Sequence, residues 1–526
     1  MGDTVSNQSD GVDIGGQQTA GDVAGRDIIK QTSEAQKPIV PALHQLPTPP
    51  ADLTGRDADI GDRRGEGNAL MNAGNTHYSL GEYRKAIEYH AQALPIFREI
   101  GDRRDEGNAL MNIGNAHYSL GEYRKAIECH AQALPIFREI GDRRGEGNAL
   151  SNFGAAYYTL GETRQAIEYY EQALVIAREI GDRRGEGAAL DNRGLACAAL
   201  GETRQAIEYC EQALVIAREI GDRSGEGAAL GNLGTAYYTL GETRQAIEYY
   251  EQSLKVKKEI GNRYGEGNAL ANLGTAYGAL GETRRAIEYH EQTLTIMRDL
   301  GDQRSEGTVL GNLGVAYQDL GETSQAIGYY EQQLTITRAV GDRRGEGAAL
   351  GNLGTAYAKL GETRKAIEYY ERALVIAREI GDRHSEGKDL GNLGTIYAKL
   401  GETRQTIKYY EQALTIMRDI GDKRTEGSIL GNLGAVYKHL GEMRRAVEYY
   451  EQSLRVKREI GDRSGEAKDS WNLGFVYEAQ GGLERAIELM QVCVDFERES
   501  GHPNAVSHAK RVDQIRQRLA DRRGQA

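Results

Sequence analysis

The chain has 526 residues, a formal net charge of −13, 67 glycines, 30 tyrosines, one tryptophan and four cysteines. The acidic balance argues against non-specific DNA or RNA binding, which needs a net basic footprint, and Cys129, Cys197, Cys210 and Cys493 have no paired spacing that would make a disulfide framework. No apolar run approaches the roughly 20 residues that span a bilayer, and MGDTVSNQSDG at the N-terminus has no basic region followed by an apolar one, so a cytoplasmic protein is expected.

Residues 1–60 form a polar leader. The first fifteen or so read as disordered, and Val23, Ile28 and Ile29 within GGQQTAGDVAGRDIIK (15–30) are compatible with a short hairpin at 20–30. Residues 38–50, PIVPALHQLPTPP, contain five of the eight prolines and read as an extended linker.

From Gly61 to about residue 500 the sequence repeats with a period of 40, giving eleven units that open with Gly-Asp, or once with Gly-Asn. Residues 221–260 show the pattern. Leu230, Leu233, Ala236, Tyr237 and Leu240 recur at three- and four-residue steps and predict a first helix, A. Ala246, Ile247, Tyr250 and Leu254 do the same and predict a second, B, whose apolar face continues through Val256 and Ile260. Gly241 marks the turn between them. Gly221 is placed to end the preceding helix and Asp222 to cap the next. Gly234 lies in a helix interior despite a propensity cost of about 1 kcal/mol. Close approach of helix B with the small Ala246 opposite is the expected reason. One hairpin cannot bury its apolar face alone, so the units must stack.

Leu233, Gly234, Tyr237, Gly241, Ala246 and Tyr250 resemble the tetratricopeptide signature at its spacings. The resemblance implies an all-α fold, a right-handed α-α superhelix, over residues 61–500. Ser253 stands where the family prefers alanine, and the family's proline near the end of helix B is absent from this unit. The 40-residue period, the GDR-x-GEG opening and the NLG and AIEYYEQALVIAREI segments are similar to repeats of the LGN and Pins group of scaffold proteins. No counterpart of that group's G-protein-binding motifs follows the repeats. The leader has its own resemblance. GDVAGRDIIK and LPTPPADLTGRDADI, with Thr54, Gly55, Arg56 and Asp57, look like the lead-in to bacterial STAND-type signalling ATPases. The repeats begin where the ATPase is expected, and no GxxxxGK[ST] occurs in the chain. Residues 501–526 break the period and predict a capping helix and tail, with Ala505, Ala509, Val512, Ile515 and Leu519 on one stripe.

In the family helix A lines the concave surface, which places two candidate stripes there. The first is Asn72, Asn112, Asn152, Asn192, Asn232, Asn272, Asn312, Asn352, Asn392, Asn432 and Asn472, one per repeat. An amide both donates and accepts, so the row suits either a clamp on the backbone of an extended peptide, the favoured reading, or a link between neighbouring helices. The second stripe changes along the chain, from Tyr78, Tyr118, Tyr158 and Tyr238 to Lys359, Lys399 and Lys438. It points to a partner that is apolar or aromatic at one end and acidic at the other, with Lys388 and Trp471 on the same side. The arginines at the repeat openings, such as Arg63, Arg64, Arg103, Arg104, Arg143 and Arg144, read as local charge pairs with nearby acids.

The ten histidines fall mostly in copied slots, as His77 with His117 and His90 with His130 and His290 do, and no HExxH or zinc-spaced cysteine pair occurs. Neither catalysis nor a cofactor or metal is expected. The leading function is a scaffold or sensor arm that holds a protein or peptide, with no nucleic acid and no membrane; the oligomeric state is left open, a monomer being favoured. The alternative is a regulatory component acting in trans on a STAND-type signalling or defence ATPase.

Overall fold

The computed structural model describes residues 55–525; the polar start, the hairpin at 20–30 and the proline-rich linker lie outside them. The described chain is all-α and divides into two compact units, one ending at Gly301 and the other continuing from Asp302. Each unit is a right-handed solenoid of helix hairpins stacked in chain order. Repeats 1–6 form the first, and repeats 7–11 with the helix Ala505–Gln525 form the second.

The repeat at 221–260 shows why each element starts and stops where it does. Helix A is Arg223–Leu240 and helix B is Thr243–Glu259. The Asp222 carboxylate accepts from the Gly225 N–H at 3.1 Å, and Asn262 accepts from the Gly265 N–H at 2.8 Å in the next repeat. Either side chain satisfies a backbone donor that the helix itself cannot. Glu226 occupies the first turn, where the helix dipole favours negative charge. Gly221 and Gly241 turn the chain at φ 69° and 88°, left-handed conformations that cost glycine little. Repeat 1 departs from this pattern. Its helix Gly55–Ser79 runs straight through Gly61 and Asp62. Among the described residues no helix B precedes it, so no turn is needed there.

The glycine inside helix A faces an aromatic ring. A Cβ on Gly234 would lie 2.5 Å from ring carbons of Tyr250. The close neighbour is thus the Tyr250 ring, one turn beyond Ala246 on the same face of helix B, and Ala246 is fully buried beside it. Other repeats fill the slot with His90, His130, Cys210, His290 or Met490. Gly231, one turn earlier, has only Ser253 Oγ near, at 3.4 Å. Gly234→Ala is therefore expected to lose about 1–3 kcal/mol by overpacking against a rigid, buried ring. Gly231→Ala should keep most of its propensity gain of up to about 1 kcal/mol. Urea midpoints of the two variants should move in opposite directions; a common shift would refute the argument.

The opening arginines are used at the repeat junctions. Arg218 Nε donates to Glu226 Oε1 at 2.9 Å, and Arg223 donates both to the same carboxylate and to Glu259. Arg184 Nε lies 3.1 Å from the capping Asp222. Burial pushes the Glu226 carboxyl up, but the two guanidinium hydrogen bonds more than offset it and hold it below the usual carboxylate range. The arrangement recurs around Glu106, Glu146, Glu186, Glu346, Glu386 and Glu426. It ties the end of one repeat's helix B to the start of the next helix A. At the C-terminal end, Val512 and Ile515 of the helix Ala505–Gln525 are buried against Leu483, Met490 and Val494 of repeat 11.

Candidate peptide-binding face

Within each unit helix A packs between two B helices and also touches the next helix A, whereas no two successive B helices make a comparable contact. The A helices are the inner row, and the asparagines and the variable tyrosine–lysine stripe all belong to them.

The structure divides the asparagine row. In the first unit Asn112 Nδ2 donates to Asn75 Oδ1 at 3.1 Å, Asn152 to Asn115 Oδ1 at 2.9 Å and Asn232 to Asp191 Oδ2 at 2.9 Å. Each bond ties helix A to the helix A before it. Asn192 is buried, Asn72 exposed and Asn272 half-buried. In the second unit Asn432 hydrogen-bonds Tyr410, the hydroxyl of which is pushed up to about 12 by burial and drawn back by Thr395 and Asn432. Asn312, Asn352, Asn392 and Asn472 are half-buried. The amides of Asn352, Asn392 and Asn472 form no hydrogen bond with other described residues.

The four tyrosines mostly join repeats. The Tyr78 hydroxyl meets Ser119 Oγ at 3.0 Å and Tyr118 meets Thr159 Oγ1 at 2.7 Å, each in the next helix A. Each ring also packs edge-on against a tyrosine of its own helix B, Tyr83 or Tyr123. Tyr158 packs against the Ala166 and Tyr170 cluster, and Tyr238 against that of Ala246 and Tyr250. Lys359 and Lys399 are exposed. Lys438 lies over the Phe475 ring, 5.7 Å from its centroid, and partial burial lowers its pKa. Trp471 does not stand with them on an open surface, since it stacks on His508 of the C-terminal helix.

Sequence reasoning missed a second aromatic row. Tyr237 of helix A stacks on Tyr249 of helix B, with centroids 5.2 Å apart and planes 8° apart. Tyr157 with Tyr169, Tyr277 with Tyr289, Tyr357 with Tyr369 and Tyr437 with Tyr449 repeat the arrangement. Arg285 and Lys365 sit over Tyr277 and Tyr357 at 4.7 Å, within cation–π range. The available signal was the Tyr-Tyr doublet in helix B, whose second member is buried and whose first is half-exposed.

Models of the tetratricopeptide repeat match residues 67–100, 105–179, 185–259, 269–304, 305–379, 346–419, 385–459 and 425–499. No curated protein matches the sequence. Among solved structures the apo form of RapI is similar at 16% identity, over 68% of this chain and 98% of that one, with a TM-score of 0.51. The apo form of the quorum sensor NprR from B. thuringiensis matches at 16% identity over 69% and 99%, with a TM-score of 0.48. A STAND protein with a tetratricopeptide repeat sensor, PH0952 from Pyrococcus horikoshii, matches at 18% identity over 62% of this chain and 50% of that one, with a TM-score of 0.46. At these identities the likeness is one of fold.

Proposed function

Because this chain belongs to the tetratricopeptide repeat family, we propose that it acts by holding an extended protein or peptide segment on the A-helix face of its second unit. The observation that carries the reading is the set of half-buried amides, Asn352, Asn392 and Asn472, that make no hydrogen bond with other described residues. One per repeat, they can donate to and accept from a bound backbone without reading its side chains. The exposed Lys359 and Lys399 on the same row favour acidic residues in that segment. Asn112, Asn152 and Asn232 of the first unit belong instead to the linking role, since each bonds to the preceding helix A.

The chain works as a sensing arm for a separate switch protein. This part of the proposal is supported by the leader, where GDVAGRDIIK and TGRD resemble the lead-in to STAND-type ATPases. The 40-residue period, similar to LGN and Pins repeats, fits the same scaffold role.

The test is a pull-down from native extract with three baits: the wild type, a triple Asn352, Asn392 and Asn472→Ala variant, and a triple Asn112, Asn152 and Asn232→Ala variant. A true partner should be lost from the first triple variant by about tenfold or more, given about 1 kcal/mol per hydrogen bond. It should remain on the second, provided both keep their helicity. Lys359→Glu with Lys399→Glu should weaken capture further. Equal capture by all baits would move the search away from this face.

A further inference from the structure

Repeat 11 departs from the other ten at two buried positions. Cys493 stands where earlier repeats have Ala93, Ala173, Ser253 or Ala413, and Glu497 where they have Phe97, Ala177, Thr337 or Met417. Both lie on helix B, Leu483–Glu499, one turn apart on one face, and are 5% and 6% exposed. The helix Ala505–Gln525 brings His508 against them. Its Nδ1 lies 2.9 Å from Glu497 Oε2, and its ring is held by stacking on Trp471, with centroids 3.9 Å apart. The ligand atoms of Cys493, Glu497 and His508 all lie within 4.8 Å of one another. His502, in the connecting turn, places its Nδ1 3.7 Å from Glu497 Oε1 and is a fourth candidate.

We propose that Cys493, Glu497 and His508 bind a divalent transition-metal ion, zinc being the best fit, with His502 or water as the fourth ligand. Independently of the peptide-binding reading, the ion would fasten the C-terminal helix to the last repeat. Zinc takes sulfur at about 2.3 Å and nitrogen or oxygen at about 2.0–2.2 Å in tetrahedral geometry. This sets ligand atoms roughly 3–4 Å apart, so closure from the observed arrangement takes movements of about 1 Å. Charge also favours the site. A thiolate and a carboxylate neutralise a dication, which suits the buried position of Cys493 and Glu497. Zinc binds the thiolate, so binding releases the thiol proton. The spacing of these residues matches no zinc motif, because the ligands come from two helices and neither helix alone carries a set.

The test uses the full chain titrated with Co2+, then with Zn2+ in competition. One equivalent of Co2+ should produce a thiolate-to-cobalt charge-transfer band with the visible bands of a tetrahedral ion, and Zn2+ should remove them. Cys493→Ala and His508→Ala should abolish the charge-transfer band, while Cys129→Ala should keep it. Cys493→Ala is a safe variant because alanine fills that slot in other repeats, as at Ala93 and Ala173. Zn2+ should also raise the melting temperature of the wild type and not that of Cys493→Ala. No band at stoichiometric Co2+, or an equal band in Cys493→Ala, would overturn the proposal.

Discussion

Acidification from pH 7 to pH 5 is expected to cost the unit ending at Gly301 about 5–6 kcal/mol, and His90→Tyr, His130→Tyr and His290→Tyr together should remove most of that loss. The three imidazoles occupy the Tyr250 slot and are 1–3% exposed. Burial lowers each to a pKa of about 4, from 6.5. The folded state keeps them neutral while the unfolded chain takes up protons below pH 6.5. Their full contribution is thus present above that pH and is lost as pH falls towards 4. Below the unfolded value each imidazole costs about 1.4 kcal/mol for every further pH unit, which reaches about 2 kcal/mol by pH 5. The unit beginning at Asp302 should respond with the opposite sign. Asp389 is 6% exposed. Burial pushes it up to about 8, with Lys388 lowering it and Asp382 raising it. The folded state then holds a proton that the unfolded chain has lost, so this residue alone should yield about 2–3 kcal/mol on going from pH 7 to 5. Urea denaturation at both pH values, with the triple histidine variant and Asp389→Asn, checks both signs. A wild type indifferent to pH and a triple variant that matches it would refute the account. The arginine-paired Glu186, Glu226, Glu346 and Glu426, held below the usual carboxylate range, stay charged in this window.

Replacing Pro95 and Pro135 by lysine is expected to stabilise the chain by about 2–3 kcal/mol at each site. Both prolines lie inside B helices, Tyr83–Ile100 and Tyr123–Glu139, and their side chains are exposed. A proline there cannot donate to the carbonyl four residues back, and its ring crowds that carbonyl. The interior cost is about 3 kcal/mol relative to alanine, and lysine has good helix propensity. Lys255 fills the same slot in repeat 5, so the new side chain meets an environment the fold already accommodates. Thermal melts of the single and double variants should show near-additive gains, since the sites lie in different repeats. A fall in melting temperature would refute a helix-interior cost at these two positions.

The repeat architecture was legible because it is local. Asp222 caps, Gly221 and Gly241 turn, and the period-of-40 apolar stripe buries Leu230 and Leu233, all within reach of a few residues. The charge pairing of the opening arginines was also readable, since Arg223 and Glu226 are three apart on one helix. What could not be read depends on distance across repeats. Whether an asparagine is occupied turns on its neighbour in the preceding helix A: Asn115 and Asp191 offer oxygens to Asn152 and Asn232. The sequence pattern points Gly234 at Ala246 rather than at the Tyr250 ring, because it shows which residues share a face but not which side chain reaches across it. The grouping of Cys493, Glu497 and His508 was invisible for the same reason.

Trp471 is the single tryptophan among 30 tyrosines, and it lies between His508 and Phe475 at the C-terminal helix. Its emission is consequently a private signal for one end of the molecule. Red-edge excitation reports only the last repeat and its covering helix, while far-ultraviolet ellipticity averages over every hairpin. In a linear array, where each hairpin leans mainly on its neighbours, fraying from an end and global melting are distinct events. The unmodified protein carries a probe that separates them: emission that changes before ellipticity marks the end at which the array opens first.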